Sequence, residues 1–363
     1  MSIDSDLRKD GIKVIEPLDS YTVNTLAKNV SEKIVAAFPN FGFTFDTLYN
    51  RFSNLPMYIA DIPEGMSEAS YFYKNSAIYF RDGMGLGDLE KFAVHELIHN
   101  FQEKKDDKGN LIRLGLCTFK GSKIFGMALN EAAVQLISSN ILGCTFENVT
   151  YYDIEFSTIS PNCYPLLCNL IYQMAYVTGE EVLFDSTFNS NDHFKNKFIA
   201  LCGESAYSQV SNLFDKILIS EEKIINLNNK LQSNDFSVSK TQSLYKKIGN
   251  LKKQLKAAYL EAQELIIKSY FSTVFKTLIN SVDLDRFRKK LYNFQELIGT
   301  TDNYSFFNSY YISMMESLDN RYDSVTGSDN TYLIPKKENK FTKLLDYIKR
   351  LIWRKTAENK QNS

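Results

Sequence analysis

The chain has 363 residues, 44% hydrophobic and 23% charged, the make-up of a globular protein with a substantial core and an appendage. A formal net charge of −1 argues against nucleic-acid binding, which shows as a basic excess. No apolar run approaches the roughly eighteen residues needed to span a bilayer.

In chain order, a short strand is predicted at Ile12–Ile15, a helix from Thr22 to Ala37 and a second helix at Phe45–Phe52. The runs 56–63 and 76–81 are rich in aromatic and β-branched residues, which predicts two strands. Glycines between Asp82 and Gly87 break the chain, and Asp88 then suits the N-cap of a helix over 89–104. A turn at 106–110 leads into a strand or hairpin arm at 111–119. Gly126 opens a helix over 127–142, which Gly143 ends. Further helices are predicted at 164–178, 192–201 and 206–218.

Beyond this point the pattern changes. Leu244, Ile248, Leu251, Leu255, Ala258, Ala262 and Leu265 alternate spacings of four and three, a coiled-coil seam. Ile217, Ile224 and Leu231 form a weaker seam before it. An antiparallel helical hairpin packed on itself is the simple reading, and a homodimer through this seam is the alternative. An aromatic helix at 304–318 follows. The tail from Lys336 is basic and amphipathic, with Phe341, Leu344, Leu345, Ile348, Leu351 and Ile352 on one side. Such a stretch can lie on an anionic membrane surface, although docking on its own domain is the simpler reading. The organisation expected is thus 1–215 catalytic, 216–300 hairpin, 301–335 aromatic helix and loop, and 336–363 basic tail.

The five cysteines, Cys117, Cys144, Cys163, Cys168 and Cys202, are odd in number and lie in apolar or helical surroundings, which suits free thiols in a reducing compartment. The polar first residues lack the apolar stretch of a secretory signal, so a cytoplasmic location is expected.

Residues 95–99 read His-Glu-Leu-Ile-His, and His95 and His99 are two of only three histidines in the chain. On a helix, positions i and i+4 share a face, so both imidazoles can reach one zinc ion. Glu96 lies about 100° around the helix from His95, placed to act on a water at that ion. A catalytic zinc needs three protein ligands and an open position. Glu103 continues the row but lies about 12 Å along the axis from His95, too far for bonds of about 2 Å. Glu131 fits best, on a second helix among the small residues Ala128, Ala132 and Ala133. His193 and the cysteines are weaker competitors.

The pentapeptide followed by Asn130-Glu131-Ala132 on a helix resembles the zincin metallopeptidases of the gluzincin branch, over roughly residues 56–143. The resemblance implies an α+β fold, predominantly helical, with a small mixed sheet beside the two motif helices. It implies one Zn2+ held by His95, His99 and Glu131, with Glu96 as general base in hydrolysis of a peptide or protein substrate. It also implies that Ala77, Ile78, Tyr79 and Phe80 form the edge strand along which an extended substrate lies. Many gluzincins carry an aspartate where this chain has Gln135, whose amide can still hydrogen-bond a zinc histidine. The residue that stabilises the oxyanion stays open, with Tyr151, Tyr152 and Tyr207 as candidates. The alternative function is a catalytically silent zincin-like domain that binds zinc or a partner, using the hairpin as an arm.

Overall fold

A computed structural model describes residues 7, 11–63, 67–121, 123–233, 236–298 and 304–326. It shows an α+β protein in which helices predominate and the sheets are small. The basic tail expected at 336–363 lies outside the described residues.

Strands β1 (Lys13–Pro17), β2 (Met57–Asp61), β3 (Ala69–Phe72) and β4 (Ala77–Arg81) form a mixed sheet in the order β1-β2-β4-β3. β2 and β4 are parallel, and the outer pairs are antiparallel. The expectation that residues 77–80 form the edge strand is therefore corrected. Ala77, Ile78, Tyr79 and Phe80 lie in an interior strand, each almost wholly buried, and the edge beside them is β3. The four residues of β3, Ala-Ser-Tyr-Phe, are too few to show a strand period, which is why this strand is missed in the sequence.

Helices α1 (Ser20–Ala37) and α2 (Phe45–Ser53) precede and follow the first turn of chain, each capped by a side chain, Asp19 and Thr44. The motif helix α3 (Leu86–Gln102) buries Leu89, Ala93, Val94, Leu97 and Ile98. It starts three residues earlier than Asp88 suggests. Gly85 is the N-cap and Asp88 sits in the first turn, where its charge still suits the helix dipole. A second sheet, β5 (Glu103–Lys105), β6 (Leu111–Leu114), β7 (Cys117–Lys120) and β8 (Lys123–Phe125), is an antiparallel meander that leads into α4 (Met127–Ile141). The hairpin of β9 (Glu147–Tyr151) and β10 (Ile154–Thr158) then precedes α5 (Pro165–Thr178), α6 (Glu180–Asn189) and α7 (His193–Cys202).

Two long helices, α8 (Glu204–Ser233) and α9 (Val238–Phe275), pack along each other, followed by α10 (Ser281–Ile298) and α11 (Tyr304–Thr326). The boundary expected at 215/216 falls inside α8, and one apolar core runs from Val23 to Leu318. Within the seam, Ile248, Leu255, Ala258 and Ala262 are buried, as are Ile217 and Ile224 on α8. No helix among the described residues is long and apolar enough to cross a membrane.

Leu255 is fully buried in this seam. Leu255→Ala should lower stability by about 3 kcal/mol, seen as a fall in the denaturant midpoint that does not depend on protein concentration. A concentration-dependent midpoint would assign part of the seam to a second chain.

Candidate metal centre

Three donors meet where α3 crosses α4. The ligand atoms of His95, His99 and Glu131 all lie within 4.8 Å of one another. The two Nε2 atoms are 3.1 Å apart, and the Glu131 oxygens stand 3.4 Å from His95 Nε2 and 3.5 Å from His99 Nε2. Small residues flank the donors along both helices. Ala128, Ala132 and Ala133 are fully buried, as is Ala93 on α3.

Both rings are oriented from behind by amides. Gln135 Oε1 lies 3.0 Å from His95 Nδ1, and Gln102 Oε1 lies 3.1 Å from His99 Nδ1. With Nδ1–H donating to these oxygens, each Nε2 presents its lone pair to the shared centre. Gln135 is one turn beyond Glu131 on α4. Gln102 ends α3, and its Oε1 also accepts from Asn130 Nδ2 at 3.2 Å.

Gln102 and its contact with His99 have no signal in the five-residue motif. They depend on the β6–β7 turn, which covers the end of α3. Gly115 in that turn has φ +57, and a Cβ there would collide with Gln102 and Asn130 side chains. Its N–H donates to Ser190 Oγ at 2.8 Å, and that hydroxyl donates to the Gln102 carbonyl. Leu116 N–H donates to Asn130 Oδ1. Arg113 ties the turn to the α6–α7 connection through the Asn191 carbonyl and an ion pair with Asp192.

Burial disfavours a charged His99 ring, but the Glu131 carboxylate outweighs it and raises the His99 pKa to about 9. Burial likewise opposes a charged Glu131, and the two imidazoles overcome it, holding this carboxyl below its ordinary range.

Glu96, only 6% exposed, has one oxygen held by the Tyr71 N–H of β3 at 2.6 Å. The same tyrosine bridges to the end of α3 and the start of β5, since its hydroxyl donates to Glu103 Oε1 and accepts from Asn100 Nδ2. Glu103 thus faces Tyr71, Ser76 and Lys105, away from the three donors. His193 is also elsewhere, exposed at the start of α7 and 3.0 Å from Asp185. The five cysteines are free thiols. Cys117 is buried, and burial with the nearby Glu131 charge raises its thiol pKa to about 12, so it stays protonated and is a poor ligand.

Tyr164 escaped the sequence analysis. Its ring centre is 6.4 Å from that of His95, and its hydroxyl is within electrostatic reach of Glu131 and Glu96. Burial keeps that hydroxyl protonated. Its backbone is left-handed, φ 47 and ψ 45, a costly conformation for a tyrosine. Pro165 marks the helix start that follows, but nothing local in the sequence brings that start to His95. Of the tyrosines singled out earlier, Tyr207 packs on Phe198. Tyr151 and Tyr152 lie together at the β9–β10 turn. Comparison with protein-family models, curated proteins and solved structures finds no match for this chain.

Gly115→Ala should weaken binding of a divalent metal by about tenfold or more, because the new methyl displaces Gln102 from His99. Gly121, with φ +61 and open space around it, is the matched control. Equal effects at the two glycines would show that backbone strain alone is at work. A second outcome concerns pH. Ligation needs a neutral ring, so a metal must displace the His99 proton. Metal affinity, read against a competing chelator, should rise by up to about tenfold per pH unit from neutrality and level off above about pH 9. A flat profile would mean that the ring is already neutral.

Proposed function

We propose that the protein is a zinc-dependent peptidase of the gluzincin type, cytoplasmic, with His95, His99 and Glu131 as ligands of one Zn2+ and Glu96 as general base. The observation that carries this reading is the convergence of two imidazoles and a carboxylate with Glu96 on the same helix. Tetrahedral bonds of about 2.0–2.1 Å set ligand atoms about 3.4 Å apart. The separations of 3.1, 3.4 and 3.5 Å fit that requirement. The donor set of two histidines and one glutamate also suits catalytic zinc, and leaves a fourth position open.

Bound there, zinc lowers the pKa of water toward neutrality and polarises a carbonyl. Glu96 takes the proton of the attacking water and returns it to the leaving amine, one carboxylate serving both steps. Its burial beside β3 shields that exchange from bulk solvent, and the Tyr71 N–H fixes which oxygen is free. Tyr164 supplies a protonated hydroxyl for the developing oxyanion. An extended substrate pairs with the edge strand β3, in place of the residues 77–80 first expected in that role.

Glu96→Gln should retain one zinc per chain and lose peptide cleavage by about a thousandfold or more, while Glu131→Ala should lose zinc. The measurements are metal content and cleavage of a mixed peptide library. Zinc binding with no cleavage by the unaltered protein would favour the catalytically silent alternative.

A further inference from the structure

Glu221 is a buried acid that the hydrolytic site does not use. It lies on α8, which packs against the ligand helix α4. The residue is 4% exposed, and its Oε1 is buried with no hydrogen-bond partner. Among the described residues no lysine or arginine acts on its carboxyl group. The one charge that does is its neighbour Glu222, which adds repulsion to the cost of burial and brings the pKa to about 8. Buried carboxyls are normally paired or well hydrogen-bonded.

Its surroundings are aromatic. Tyr151, Tyr152 and Tyr164 are all within its electrostatic reach. The first two sit at the β9–β10 turn with ring centres 4.3 Å apart. That turn is pinned, since Tyr152 and Asp153 are left-handed and Lys256 Nζ donates to the Asp153 carbonyl at 2.7 Å. Tyrosine faces attract cations, and the Tyr152 ring already has Lys252 Nζ at 5.6 Å. Tyr164 connects this cluster to the metal centre, with its ring 6.4 Å from that of His95 and its hydroxyl within electrostatic reach of Glu221. Glu222 in turn feels the charge of Glu131. A buried carboxyl with an unpartnered oxygen and three tyrosines in its reach therefore lie on the side of the centre where Tyr164 meets His95.

We propose that Glu221, with Tyr151, Tyr152 and Tyr164 within its electrostatic reach, forms a subsite for a cationic group of the substrate, an ammonium or guanidinium carried next to the scissile bond. The inference rests on the peptidase reading for its context and names the substrate class of that site. Two sources share this chemistry, a free amino terminus and a lysine or arginine side chain.

The test is equilibrium binding by calorimetry to full-length protein carrying Glu96→Gln, so that peptides survive the titration. Four tetrapeptide amides serve as probes: Ala-Lys-Ala-Ala with a free amino terminus, the same peptide acetylated, Ala-Ala-Ala-Ala free, and Ala-Ala-Ala-Ala acetylated. A cationic peptide should bind about tenfold or more tighter than the acetylated tetra-alanine. Glu221→Gln should bring that ratio within about twofold. The acetylated lysine peptide and the free tetra-alanine show which source is taken. Equal affinity for all four probes, or no binding by any, overturns the proposal, as does a ratio that survives Glu221→Gln in a protein of unchanged circular dichroism. The peptide comparison with Glu221 intact stands even if the variant misfolds. Selective cation binding without cleavage by the unaltered protein would keep the subsite and reject the hydrolase. Cleavage without cation preference would do the reverse.

Discussion

The centre depends on the contact between α3 and α4, which brings the Glu131 carboxylate to 3.4 Å from His95 Nε2 and 3.5 Å from His99 Nε2. Everything at the centre follows from that spacing. One extra branched side chain at this contact would part the helices by more than the tolerance of a coordination bond. Glu131 would then no longer face the two imidazoles. The histidines supply one face, and Glu131 on the second helix completes it.

The rest of the fold acts as a brace around that contact. Gln135 and Gln102 hold the rings from opposite sides, one on each helix. The β6–β7 turn presses on Gln102 at Gly115, and the Ser190 hydroxyl joins that turn to the end of α3. On the other side, Tyr71 of β3 engages Glu96 through its backbone and Glu103 through its hydroxyl. Helix α8 packs on α4 from the remaining side, with Asp215 accepting from the Ala128 N–H and Glu222 feeling the charge of Glu131. The centre is thus largely buried and carries the Glu131 and Glu96 carboxyl groups, a setting that favours a bound cation.

Local pattern made much of this readable. The i, i+4 histidines, the helix carrying Glu131 and its small neighbours can all be read from short windows, and the long helices follow from heptad spacing. What could not be read depends on distant segments meeting. β3 is four residues long, so its edge position emerges only from pairing with β4. Gln102 becomes a partner of His99 only when the β6–β7 turn folds over it. Tyr164 lies far along the chain from the motif, and its left-handed backbone runs against the ordinary preference of a residue before proline. The boundary expected at 215/216 lies inside α8, where the apolar spacing changes while the helix continues.

The central claim is a metal held by two imidazoles and one carboxylate, and zinc K-edge X-ray absorption on the zinc-loaded protein tests it most directly. The account predicts a first shell of nitrogen and oxygen at about 2.0–2.1 Å with the outer-shell scattering of two imidazole rings. A sulfur shell at about 2.3 Å, or a shell with one imidazole or none, would contradict it.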